Sequence, residues 1–66
     1  MIIYINDQER EVTDNCTLAQ ALIELEISTK GTAIASNDEI IFRAKWESYT
    51  LSPKEKVTII RATCGG

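Results

Sequence analysis

Hydrophobic and polar positions alternate in short blocks along this chain. Ile2-Ile3-Tyr4-Ile5 is β-branched and aromatic, which predicts a strand, and Asn6-Asp7-Gln8 follows as a turn. Glu9 to Thr13 predicts a second, polar strand at a sheet edge, closing a hairpin. Strand side chains alternate with period two, so Ile3 and Ile5 share one face and are expected in the core with Val12. Asp14-Asn15 then breaks the pattern. Leu18, Leu22 and Leu25 recur at helical spacing, with Ala21 extending the stripe and Gln20 and Glu24 facing water. Thr17 and Gln20 form a capping box at the helix start. The helix is expected from Leu18 to about Glu26, with Ser28 to Gly31 ending it and Gly31 free to take a positive φ.

The second half reads as strand and loop. Thr32 to Ser36 is a small-residue strand, Asn37-Asp38 a two-residue turn, and Glu39 to Phe42 the returning strand. Arg43 to Tyr49 keeps no strict period; Trp46 and Tyr49 could pin a short helical turn to the core. Pro53-Lys54-Glu55-Lys56 is a turn signal. Val57 to Ala62 is the last strand, and its apolar run suggests a central position. The order ββαββ, helical turn, β predicts an α+β layer fold. It fits a ubiquitin-like β-grasp: a mixed four- to five-stranded sheet with one main helix packed across it. The expected organisation is one domain over residues 1–62 and a flexible C-terminal tail over 63–66.

Composition narrows the function. Sixty-six residues give room for one domain. A chain this size buries only about 60% of the surface it exposes when unfolded, which leaves little volume for a deep substrate pocket. With 44% hydrophobic and 26% charged residues, the chain should fold as an ordinary globular domain. The net charge of −3 argues against nucleic acid and fits basic protein partners. No apolar run could span a membrane and no secretory pattern opens the chain, so a cytoplasmic location is expected. There is no histidine, which removes the commonest general base and metal ligand. No enzyme, no metal and no bound cofactor are expected. Two cysteines, Cys16 and Cys64, stand far apart and read as free thiols in a reducing compartment. Cys16 beside the helix start could have a lowered pKa, or be a buried spacer. Trp46 reads as core before partner hot spot. Arg43 could contact a partner or tie down its own loop. Glu9, Glu11, Glu24 and Glu26 read as a solvated surface.

The last strand is followed by Thr63-Cys64-Gly65-Gly66. Together with Ile3 to Asn6, the Thr17-Leu18 helix start, Ala33 to Asn37, Arg43-x-x-Trp46, Leu51 and Val57 to Ala62, this ending resembles the ThiS family, sulfur carriers of thiamine biosynthesis. The chain departs from the family pattern at Ile41-Phe42, where Val-Pro is usual, and at Pro53 to Lys56, where a Gly-Asp turn is usual. The resemblance implies that a ThiF-type adenylating enzyme activates the Gly66 carboxylate. A persulfide from a sulfur donor such as a cysteine desulfurase would then convert it to a thiocarboxylate. A ThiG-type thiazole synthase would take the sulfur. Gly66 would carry the sulfur, and Gly65 and Cys64 would thread with it into partner active sites, since glycine lacks a Cβ and fits a narrow tunnel. The thiol of Cys64 is not needed by this route. Carriers for molybdopterin, tRNA thiolation or amino-acid biosynthesis, and ubiquitin-like modifiers, share the fold and ending and stay as alternatives.

Overall fold

The computed structural model describes residues 1–61. Strand β1, Ile2–Ile5, turns at Asn6 and Asp7 into β2, Gln8–Glu11. Both turn residues are left-handed, with φ of 49° and 68°. That is the type I′ geometry whose twist matches a hairpin, and Asn and Asp tolerate it best among non-glycine residues. The tight turn sets Gln8 directly opposite Ile5. Pairing therefore starts one residue before the expected Glu9. Its bonds run one pair beyond Ile2 and Glu11, where the Val12 amide donates to the Met1 carbonyl and the Met1 ammonium to the Val12 carbonyl; the Thr13 amide then leaves the ladder for Glu24 Oε1. The same device recurs at Asn37 and Asp38, φ 50° and 70°, between β3, Thr32–Ser36, and β4, Glu39–Ile41. Phe42 falls outside β4 and leads into a 3-10 turn at Arg43–Lys45.

Helix α1 spans Leu18–Glu24, and both arms of the capping box form. The Gln20 amide donates to Thr17 Oγ1 at 3.2 Å and the Thr17 amide to Gln20 Oε1 at 3.0 Å. The helix stops short of Glu26, for a backbone reason. Glu26 takes φ 56°, its amide bonds the Ile23 carbonyl, and the Ile27 amide bonds the Leu22 carbonyl. These two bonds are a Schellman motif with glutamate where glycine usually sits. Gly31 does have φ 68°, but it serves the approach to β3 rather than the helix end.

The last strand, β5, spans Lys56–Arg61, and the described strands form one sheet in the order β2-β1-β5-β3-β4. Only the β1–β5 contact is parallel. The apolar run thus lies in the centre, as its composition predicts. Helix α1 covers one face. Ile3, Ile5, Ile34, Ile41 and Val57 of the sheet meet Leu18, Ala21 and Leu22 of the helix, with Val12, Trp46 and Leu51 closing the rim. Leu25 is only partly buried, because the chain turns away immediately after it. Each fully buried aliphatic side chain here, such as Ile3 or Val57, contributes roughly 1.5–3 kcal/mol. No helix among the described residues is long and apolar enough to cross a membrane.

The Schellman geometry yields a test. Glu26→Gly should stabilise the protein by roughly 0.5–1 kcal/mol, since relief of left-handed strain exceeds the added chain entropy. Thermal melting followed by circular dichroism should show a midpoint higher by a few degrees; a lower midpoint would mean that the Glu26 side chain outweighs its backbone strain.

Candidate functional site

The sequence-predicted site residues Cys64, Gly65 and Gly66 lie outside the described residues. Their root does not. β5 is held on one side by five pairs with β3, from Thr32↔Arg61 to Ser36↔Val57. On the other side β1 supplies two pairs, Tyr4↔Lys56 and Ile5↔Val57. Asn6 extends that contact after β1 has ended: its amide donates to the Val57 carbonyl and its Oδ1 accepts from the Ile59 amide, both at 2.9 Å. Asn6 therefore serves the hairpin turn and the central strand together. The sequence showed only the first role.

Beside this root lies the sheet face that α1 does not cover. The register sets Ala33 opposite Ile60 and Ala35 opposite Ile40, so these four residues share a face. Ile60 is 48% exposed and Ile40 52%, and Phe42 next to β4 is 72% exposed. Ile60 and Ile40 exposed on one sheet face, with Phe42 exposed next in the chain to β4, mark an interaction surface better than scattered single residues would. At the far edge of this face stand Glu9 and Glu11, opposite Tyr4 and Ile2. The face is thus apolar near the exit of β5 and acidic at β2, and the carboxylates are solvated as expected.

Arg43 and Trp46 are brought together. The Arg43 guanidinium lies 4.9 Å from the centroid of the Trp46 ring and donates through Nη2 to the Thr29 carbonyl at 2.8 Å. Arg43 thus ties down its own loop. Trp46 is buried, and its indole Nε1 donates to the Ile41 carbonyl at 2.9 Å. It is core, as its isolation in so small a chain suggests. A shallow apolar groove between α1 and the 3-10 turn, lined by Ala19, Leu22, Ile23, Ile27 and Trp46, has a volume of about 250 Å³.

Two groups with reactive potential are enclosed. Cys16 is 3% exposed, and burial, followed by the charge of Glu24, holds its pKa above the ordinary thiol value. The alternative of a lowered pKa is corrected accordingly: desolvation outweighs any pull from the helix start. Glu55, read from the sequence only as part of a turn, is buried. Its Oε2 accepts from the hydroxyls of Ser36 and of Tyr49, the latter at 2.7 Å, and its Oε1 accepts from the Ser52 amide at 2.8 Å. The Ser36 hydroxyl draws the Tyr49 pKa down, but the bond to Glu55 and burial together leave it raised. This cluster clamps the loop before β5 to the end of β3. Nothing in the local periodicity signals it. The one hint is a serine, Ser36, on the core-facing register of β3. Among the described residues no group of three His, Cys, Asp or Glu side chains could hold a metal ion.

A family model, that of the ThiS family, matches residues 3–66. The chain belongs to the ThiS family. The curated sulfur carrier protein ThiS of Escherichia coli (strain K12) is 26% identical over 66 residues, and the alignment covers all of both chains. Among solved structures, the thiamine biosynthesis protein (ThiS) from Geobacter metallireducens superposes with a TM-score of 0.85 at 17% identity, again over the whole of both chains. That likeness is one of fold, and it agrees with the five-stranded mixed sheet and single α-helix of a β-grasp. The two departures from the ThiS pattern, at Ile41-Phe42 and Pro53 to Lys56, leave this fold intact. The second holds the buried Glu55.

The enclosed groups give two predictions. Glu55→Ala should cost roughly 2–3 kcal/mol, because Ser36 and Tyr49 lose their acceptor in a buried place. Urea denaturation would measure it, and a loss under about 1 kcal/mol would mean that water takes the carboxylate's place. In a Cys64→Ser background, Cys16 should react with a thiol probe at least about tenfold more slowly in buffer than in urea; equal rates would contradict its burial.

Proposed function

We propose that this chain is a sulfur carrier of thiamine biosynthesis whose reactive group is the carboxylate of Gly66. Family membership across residues 3–66, a span that includes the terminal Gly-Gly, carries this reading. A ThiF-type enzyme with Mg-ATP joins the carboxylate to AMP and releases pyrophosphate. Adenylation is needed because a carboxylate offers only oxide as leaving group. A persulfide from a cysteine desulfurase or related donor attacks the acyl carbon and displaces AMP. A second thiol attacks the donor sulfur of the acyl disulfide; it ends in a disulfide with the donor, the Gly66 thiocarboxylate leaves, and a ThiG-type thiazole synthase accepts the sulfur. The chain supplies no catalytic side chain to these steps. It is the substrate of each enzyme in turn, and the cytoplasm, where ATP and persulfide donors are at hand, is its place.

Several observations support the reading. β5 sits in the sheet centre and is bonded on both sides, so the folded domain is a firm handle for the chain that follows Arg61. The uncovered face carrying Ile60 and Ile40 includes the end of β5, where an enzyme engaging the tail would rest. Gly65 and Gly66 have no side chain to obstruct a narrow channel, which lets the carboxylate reach a water-poor pocket.

The test is an intact-mass measurement after incubation with a ThiF-type enzyme, ATP and a sulfur donor. The expected gain equals one oxygen replaced by sulfur. A lysine adduct in its place would make the protein a modifier. Gly66→Ala should cut adenylation by about tenfold or more without moving the melting temperature, whereas Cys64→Ser should transfer sulfur at the wild-type rate.

A further inference from the structure

The backbone of β5 offers one edge that the fold leaves open. Residues Lys56, Thr58 and Ile60 direct their main-chain groups toward β3, as the bond from the Asn37 amide to the Lys56 carbonyl shows. Val57, Ile59 and Arg61 direct theirs toward β1. There the Val57 carbonyl takes the Asn6 amide and the Ile59 amide takes Asn6 Oδ1. Beyond that point the chain has turned away through Asp7 into β2. The next two groups on this edge, the Ile59 carbonyl and the Arg61 amide, have no backbone partner among the described residues.

The other edges of the sheet are guarded. All four residues of β2, Gln8-Glu9-Arg10-Glu11, are exposed and polar, and β4 is only three residues long. Charge and shortness are the usual protections against unwanted strand pairing. The open stretch belongs to a six-residue strand and carries a single charged side chain, Arg61, at its end. Ile59, half-buried, flanks it on the helix side and Ile60 on the uncovered side.

We propose that this stretch is a strand-pairing site, on which the enzyme that activates the C-terminus lays an extended, apolar segment in the place β1 vacates. The inference rests on the carrier reading above and adds the contact that aligns the tail. Reach identifies the occupant. The five residues from Ala62 to Gly66 span at most about 17 Å when fully extended. An active site that grips Gly66 must therefore bring its surrounding surface up to the end of β5. A strand bonded to the Ile59 carbonyl and the Arg61 amide would continue the sheet alongside the tail and fix its direction.

The experiment uses the full chain, isotopically labelled, saturated with its ThiF-type enzyme in the absence of ATP. Amide hydrogen exchange should slow at least about tenfold at Arg61 in the complex. Two variants separate backbone from side chain. Arg61→Ala keeps the amide proton and Arg61→Pro removes it; because that amide points away from β3, proline costs no bond within the sheet, and circular dichroism verifies that both variants fold. Arg61→Pro should bind about five- to tenfold more weakly than Arg61→Ala. Equal binding of the two variants, or free exchange at Arg61 in the saturated complex, overturns the pairing site while leaving the carrier reading in place. Failure of the wild-type chain to form any complex or thiocarboxylate overturns both.

Discussion

The parallel contact between β1 and β5 is the constraint on which the other features rest. It is short, two residue pairs extended by the amide and the side chain of Asn6, yet it joins the two halves of the sheet. Without it the β1–β2 hairpin has no tie to β3 and β4 except through side chains. Ile3 and Ile5 on one strand and Val57 on the other are then brought onto a single face, and α1 can cover all three. The right-handed crossover rule for parallel strands accounts for the helix lying on one side only. The opposite face is consequently left uncovered by the helix, with Ile60 and Ile40 exposed on it.

Much of this was legible in the chain. Asn6-Asp7 and Asn37-Asp38 announce tight hairpins because few other pairs accept two left-handed residues in succession. Thr17 and Gln20 announce the helix start because each supplies what the other's backbone lacks. The Val57 to Ala62 run announces a strand at the sheet centre. Hidden from the sequence were features made by residues distant in the chain. Glu55 reads only as part of a turn until Ser36 and Tyr49 are folded against it. Glu26 reads as ordinary helix until the Ile27 amide is seen reaching back to Leu22. Asn6 gives no sign of its bond to Ile59, because that bond depends on where β1 ends relative to β5. Of the candidate site, the ending itself was legible from its resemblance to the ThiS family, whereas the surface beside it depends on strand register and so emerged only with the fold.

The division of labour inside the molecule follows from its size. Polar groups that are buried are spent on holding the loop before β5 and the helix start: Glu55 on Ser36 and Tyr49, the Trp46 indole on Ile41, the backbone of Cys16 on Leu51. The thiol of Cys16 is enclosed by the same packing. The domain therefore commits its interior to rigidity and leaves recognition to its surface. This arrangement suits a small carrier protein of the ThiS family.

The pairing of the first strand with the last also bears on how the protein is made. Contacts between distant parts of a chain close late and slow the folding reaction. Here the core cannot be completed until β5 has been synthesised and released far enough to reach β1. A truncated or nascent chain lacking β5 has no central strand, and the bare apolar face does not exist in it as a surface. The uncovered face thus forms only once β5 has been added between β1 and β3, which makes it a signature of the completed sheet.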